Sequence, residues 1–401
     1  MNQRLSVIFI YVIFVLSTQA DKLVIAHYMP WYASKEVSGY WGWHWTMNHF
    51  DPEKRLENGQ RQVASQDYPL IGLYDSGDPQ VLECQILQMK FAGIDGVIFD
   101  WYGTKDHNDY AFIHRNTLAM IKQVKRAGLK FAICYEDQAV GQIVKGGKLK
   151  PEEAPDHANS VMQWVDKEWF ADPSYLSHQD RPVMLVFGPQ YFKPDQWPGL
   201  FKNLKTKPWV YSLPHLTKKF DTDGTFGWPP VTGGEEITYD KWSGYLDRLY
   251  SNKSNRQPAI ATAFPGFHDI YNEAKLHPSY GFIDDRNGRT LTETLDRALA
   301  SDSPIIQIAT WNDYGEGTII EPTMDDGYKS LEAIQSRLIK DGSFTKSDLR
   351  LPTLLLKLRK ELSDKPAAQA PLNEAAELLF ADKIGEAAAS LSVIQARWQT
   401  K

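Results

Sequence analysis

Cysteine is scarce in this chain, with two in 401 residues, and that scarcity excludes a scaffold held together by disulfides. Cys84 falls in a helical pattern and Cys134 in a strand pattern, so both are expected as buried thiols rather than as a bridge. Closely spaced His and Cys ligands are also missing, so no metal and no cofactor is expected. A net charge of −6 without a long basic block argues against nucleic acid as a partner. Beyond the N-terminus no stretch is apolar enough to span a bilayer. Neither a repeat of solenoid period nor a low-complexity segment is present.

The first twenty residues read as a signal peptide. Arg4 supplies the positive start, Leu5 to Leu16 is nearly all apolar, and Thr18-Gln19-Ala20 offers small residues before Asp21. Cysteine is absent from the cleavage point, so a lipid anchor is not expected. The mature chain is expected to be secreted or periplasmic, without stable membrane insertion, and monomeric.

What the sequence has in quantity is aromatic side chains, 12% of the residues with 13 Trp. The stretch Pro304 to Glu321 organises the rest. Ile305 to Ala309 is an apolar, β-branched run long enough for one buried strand and too short for a helix. Trp311, Asn312, Asp313, Tyr314, Gly315, Glu316 and Gly317 follow at once, a cluster of acids and aromatics between turn-forming residues. In an extended segment the α-carbons of Asp313 and Glu316 would lie about 10 Å apart, whereas one helix-like turn brings the side chains to about 5–6 Å. Two carboxyls at one scissile bond can divide glycoside hydrolysis, one as proton donor and the other as base or nucleophile. The alternative is that Asp313 caps the turn and Glu316 is solvated.

Trp311 to Glu316 resembles the signature of glycoside hydrolase family 71, the α-1,3-glucanases. Glu316 to Pro322 resembles glycoside hydrolase family 99, the endo-acting α-mannosidases and α-mannanases. Both resemblances imply a (β/α)8 barrel, and together they cover about Leu23 to Leu338. The match to family 99 implies that Glu316 is the general acid. Asp313 departs from that family, which places a glutamate there to take the proton of the substrate's 2-hydroxyl, with retention through a 1,2-anhydro sugar. Family 71 carries an aspartate and is associated with inversion, so α-mannoside and α-1,3-glucan both stay open as substrates.

Along the chain, eight strands alternate with amphipathic stretches: Leu23 to Tyr28, Val97 to Phe99, Lys130 to Ile133, Val183 to Phe187, Trp209 to Ser212, Thr225 to Trp228, Ile260 to Ala263 and Ile305 to Ala309. Active sites of such barrels gather at the carboxyl ends of the strands. The residues there become candidates for contact with an oligo- or polysaccharide: His27, Tyr28 and Trp31; Asp100 and Trp101; Glu136; Trp228; and Trp311, Asn312, Tyr314 and Glu321. The family 99 resemblance adds His44 and Trp45 in the first loop, His268 and Asp269 after the seventh strand, and a substrate-contacting carboxylate at Glu136. His27 is as readily a hydrogen-bonded core histidine, Asp100 a loop cap, and Trp41 and Trp43 as readily part of a β-hairpin over the barrel.

The chain therefore divides into a signal peptide (1–20), a catalytic barrel (21–345) and a C-terminal extension (346–401). In that extension Leu354 to Leu362 and Glu374 to Trp398 are amphipathic and Lys365 to Pro371 reads as a turn-forming linker, so a helical hairpin is expected. Three functional classes compete: an endo-acting α-glycan hydrolase, a catalytically silent glycan-binding barrel, and a metal-dependent hydrolase. The last starts poorly, because His27 has no neighbouring ligand histidine.

Overall fold

Runs such as Val24-Ile25-Ala26 and Ile305-Ile306 are buried on both faces, which suits strands covered by helices outside and by side chains inside a closed sheet. The structure, a computed structural model, describes residues 22–251 and 256–399. The segment read as a signal peptide lies outside the described residues. Eight strands, β1 (Leu23–Tyr28), β2 (Gly96–Trp101), β3 (Lys130–Tyr135), β4 (Arg181–Val186), β5 (Trp209–Ser212), β6 (Gly224–Thr225), β7 (Ala261–Ala263) and β8 (Ile305–Ile308), lie parallel in chain order. Leu23 of β1 pairs with Ile305 of β8. Phe226 pairs in parallel with Ile260, and the Ile260 N–H donates to the Thr225 carbonyl at 2.8 Å, which closes the ring between β6 and β7. The architecture is the (β/α)8 barrel expected from the alternation.

Helices α1 (Pro79–Phe91), α2 (Tyr110–Arg126), α3 (Ala154–Val165), α4 (Trp197–Leu200), α5 (Tyr239–Ser251), α6 (Arg289–Ala300) and α7 (Lys329–Leu338) surround the strands. The first begins as its sequence dictates. Asp78 caps it by accepting the Gln80 N–H at 2.9 Å, and Pro79 occupies the first turn, where its missing N–H costs nothing. Between β5 and β6 a 3-10 turn (Pro214–Lys219) replaces the helix.

Several local expectations change, among them the sixth strand, expected over Thr225 to Trp228 and observed over Gly224–Thr225. The second strand extends through Trp101, so Asp100 and Trp101 belong to β2 rather than to the loop beyond it. Trp41 and Trp43 lie in no hairpin: Trp43–Thr46 is a single helical turn, and the Trp41 indole donates to Glu53 at 2.7 Å. At the C-terminus the hairpin is formed by α9 (Pro366–Phe380) and α10 (Ile384–Gln399), with α8 (Leu351–Glu361) joining it to the barrel. The supposed linker Lys365 to Pro371 is the start of α9, because Pro366 sits at the first helical position where proline is tolerated. Charge ties this extension to the barrel: Glu83 of α1 accepts from Arg359 of α8 at 2.9 Å and from Arg126 of α2 at 3.0 Å, and Arg126 also donates to Glu377 of α9 at 2.7 Å. Both cysteines are buried free thiols, as expected.

Candidate active site

Just past β8 the chain folds back on itself. Thr310 and Ile320 pair across the loop, with the Thr310 N–H donating to the Thr318 carbonyl at 2.7 Å. Thr310 Oγ1 accepts the Asp313 N–H at 2.8 Å, and Asp313 Oδ1 accepts the Glu316 N–H at 3.2 Å. Asp313 thus caps the turn, and in doing so it holds Glu316 one turn away on the same side. Gly317 completes the reversal at φ 65°, where a Cβ would meet the His268 carbonyl at 2.6 Å, so only glycine lets the loop lie against the next one.

Both carboxyls line a cleft of about 1170 Å³ at the carboxyl ends of the strands. Of the residues expected at the site, His27, Trp31, His44, Asp100, Glu136 and Trp228 line the same cleft. Trp228 meets His27 edge to face at 4.9 Å, and Trp31 stacks on His44 at 4.0 Å. The Tyr102 hydroxyl donates to Asp100 at 2.9 Å, and the Gln138 amide donates to Glu136.

Nine expected contacts lie elsewhere. Asn312 is turned under the loop, exchanging hydrogen bonds with the Met29 backbone at 2.8 and 3.0 Å. Glu321 is buried beneath it and accepts from Gln85 (2.6 Å), Tyr314 (2.8 Å) and Tyr74 (3.0 Å), while Tyr28 donates to Gln85 at 2.7 Å. Trp45, Trp311 and Tyr314 are core residues. Trp101 faces the outer helices, where its indole donates to His114 at 3.2 Å. His268 is exposed beside a separate small hollow, and Asp269 holds the next loop by accepting from Ser279 and Tyr280. These residues build the frame of the cleft rather than its surface.

Sequence reasoning missed Tyr102, Gln138, Tyr271 and Tyr280, all of which line the cleft. The Tyr271 hydroxyl lies 3.5 Å from Glu316 Oε1. Tyr102 follows Asp100 by two residues and shared the same strand-end signal. Tyr271 and Tyr280 sit in an irregular loop with no periodicity to reveal them.

Four carboxyls line this cleft, and burial raises the pKa of all of them. Asp313 is pushed up to about 7 by burial, against the pull of the Glu316 and Gly315 N–H groups. Glu316 rises well above the ordinary range through burial and then the Asp313 charge. Glu136 is pushed up to about 7 by burial, opposed by the Gln138 bond. Asp100 rises well above its ordinary value through burial and the Glu136 charge. Below them His27 is lowered to about 4 by burial and stays neutral, with Nδ1 3.2 Å from Gln307. Glu316 and Asp100 are raised by a neighbouring carboxyl as well as by burial, whereas for Asp313 and Glu136 hydrogen bonds oppose the burial. Such divergent environments are how one site supplies both acid and base.

Among the described residues, His27, Asp100 and Cys134 are the one group whose ligand atoms, within 4.8 Å of one another, could hold a cation. They lie on the adjacent strands β1, β2 and β3, apart from the β8 loop that carries Asp313 and Glu316.

The profile of glycosyl hydrolase family 99 matches residues 19–207. A human glycoprotein endo-alpha-1,2-mannosidase-like protein is 32% identical over 334 residues, 74% of this chain and 67% of that protein. The mouse glycoprotein endo-alpha-1,2-mannosidase is 24% identical over 328 residues, with the same two shares. Among solved structures, the GH99 endo-alpha-mannosidase of Bacteroides thetaiotaomicron superposes with a TM-score of 0.59 at 19% identity, covering 79% of this chain and 96% of that one. That likeness is one of fold.

Proposed function

From the premise that the chain belongs to glycosyl hydrolase family 99 and is a glycoside hydrolase, we propose that it cleaves α-mannosidic bonds inside glycan chains, with Glu316 as general acid and Asp313 as base. The observation that carries this is the pairing of the two carboxyls in one turn at the mouth of the barrel, facing a cleft of about 1170 Å³. Burial and then the Asp313 charge raise the Glu316 pKa well above the ordinary carboxyl range, which favours the protonated form that a leaving oxygen needs. Asp313, up to about 7, gives up its proton near neutrality and is then a base matched to its task.

Mannose is favoured over glucose by the relatives, among them the mouse protein named as an endo-alpha-1,2-mannosidase. Asp313 takes the proton of the sugar's own 2-hydroxyl, and Glu316 protonates the departing oxygen and later serves as base for the incoming water. A second route has a specific feature in its favour. Aspartate is one methylene shorter than glutamate, and the gap of roughly 1.5 Å would admit a water for Asp313 to activate, which is the arrangement of inverting enzymes. NMR of the first-formed anomer separates the two: retention supports attack by the 2-hydroxyl and inversion supports the water route. The N-terminal twenty residues support an exported location.

The test is a side-by-side digestion of α-mannan and α-1,3-glucan oligosaccharides with product analysis. Internal cleavage of the mannan alone is the expected result. Cleavage of the glucan alone would move the assignment to that sugar. Binding with no release of reducing ends from either would favour a silent glycan-binding barrel.

A further inference from the structure

Three donors of different chemistry meet on the inner face of β1 to β3. His27, Asp100 and Cys134 offer a nitrogen, an oxygen and a sulfur within 4.8 Å of one another, and all three residues are buried. Strand register puts them together. Asp100 of β2 pairs with Cys134 of β3, and His27 of β1 pairs with Ile98, two residues before Asp100, so the three side chains share one face of the sheet. Neighbours fix two of the donors. Gln307 donates its amide to the Gly227 carbonyl at 2.9 Å, which leaves its oxygen as the acceptor 3.2 Å from His27 Nδ1. The imidazole proton therefore sits on Nδ1 and the lone pair on Nε2, as in a metal-binding histidine whose other nitrogen is tied to a second partner. Tyr102 donates to Oδ2 of Asp100 at 2.9 Å. What remains is unpaired: His27 Nε2 and Asp100 Oδ1 are buried without a hydrogen-bond partner, although buried polar atoms are nearly always paired.

We propose that His27 Nε2, Asp100 Oδ1 and Cys134 Sγ form a binding site for one divalent cation of the zinc class, and that the bound ion blocks hydrolysis. The donor set selects the ion. Calcium and magnesium take oxygen ligands, whereas zinc accepts nitrogen, oxygen and sulfur together. Tetrahedral zinc holds such donors about 3.3–3.6 Å apart, so a closing movement of about 1 Å brings them onto the ion. The thiol and carboxyl protons pass to solvent as the bonds to sulfur and oxygen form. A divalent ion with one thiolate and one carboxylate is then neutral, which avoids burying a net charge. Both His27 and Asp100 line the cleft, which gives the ion a way in and leaves its fourth position to a water. There the ion occupies the space beside Glu136, whose charge acts on Asp100, and competes with the glycan. The blocking, though not the binding, rests on the hydrolase reading above.

Cobalt titration of the full chain tests the binding without reference to activity, because a thiolate on cobalt gives a charge-transfer band in the near ultraviolet that zinc then displaces. The band is expected to saturate at one equivalent in the unmodified protein and in Cys84→Ala, which lacks the other buried thiol, and to be absent from Cys134→Ala. Competition with a coloured chelator should show zinc held more weakly by Cys134→Ala by over ~100-fold, beyond the usual effect of losing an outer-shell partner. In zinc-free buffer Cys134→Ala should cleave α-mannan within about twofold of the unmodified rate, which also shows that it is folded; Cys134→Ser, closer in volume, replaces it if the alanine protein unfolds. Zinc should stop the unmodified enzyme in step with occupancy, a chelator should restore it, and the Cys134 variant should not respond. No band, or a band that persists in Cys134→Ala, overturns the site. Stoichiometric binding with undiminished cleavage overturns the blocking. Absence of cleavage even in zinc-free buffer overturns the hydrolase reading, while the Cys134-dependent band still establishes the site.

Discussion

The backbone N–H of Glu316 donates to Oδ1 of Asp313 at 3.2 Å, so the proposed base fixes the position of the proposed acid through the main chain. The same carboxylate raises the acid's pKa by its charge. One residue thereby sets where the proposed proton donor stands and adds to the burial that raises its pKa.

Glu316→Gln is expected to slow turnover of natural substrate by ~100-fold or more, the usual worth of a positioned proton donor. Substrates with a leaving group that needs no protonation should be affected much less. Equal losses on the two kinds, compared by initial rates, would remove Glu316 from the acid's role.

Asp313→Asn is expected to abolish activity and to leave the melting temperature within a few degrees, because the amide oxygen can still accept the Glu316 N–H. With the negative charge gone, the Glu316 pKa should fall in part, with burial, the larger cause, still holding it up. Carboxyl-labelled NMR titration reads that fall directly, and an unchanged Glu316 titration would show that the two groups do not interact.

Glu321 gives a pH dependence of stability. Burial lifts its folded pKa to about 7 from the ordinary carboxyl value of 4.5, so the folded state holds a proton that the unfolded chain releases. The stabilisation is complete below the unfolded value and is lost as pH rises from about 4.5 through about 7. Asp313 and Glu136 shift in the same direction, so the melting temperature should fall between pH 5 and pH 8. Each pKa unit of difference is worth about 1.4 kcal/mol, and Glu321→Gln should make the fall visibly shallower in a thermal scan. A slope identical to that of the unmodified protein would contradict this.

Glu83→Ala should destabilise the protein by about 3–5 kcal/mol, because it strands the buried Arg359 guanidinium without its partner. Since the pair joins α1 to α8, limited proteolysis should release the C-terminal helices first, while the cleft residues remain in place and activity at low temperature persists. Loss of activity in parallel with stability would show that the tail supports the cleft itself.

The sequence by itself determined the strands and the acids at their ends. Short β-branched runs cannot serve as anything but buried strands, and eight of them in alternation with amphipathic stretches admit a closed parallel barrel as their packing. Asp313 and Glu316 were legible for the same reason: three residues apart in a tight turn, they have few ways to avoid each other. Which neighbours share their cleft was decided only by tertiary structure. Asp100 lines the cleft and Trp101 the outer helices because successive side chains of a strand point to opposite faces, and the strand's true end was not visible in the residues. Glu321 lies five positions beyond Glu316 yet ends beneath the loop, because Gly317 reverses the chain and Tyr74, Gln85 and Tyr314, two of them far away in sequence, supply the donors that bury it. Tyr271 and Tyr280 reach the cleft only because Asp269 and the Glu316 carbonyl hold their loop against β8's own, a contact between segments that no local pattern encodes.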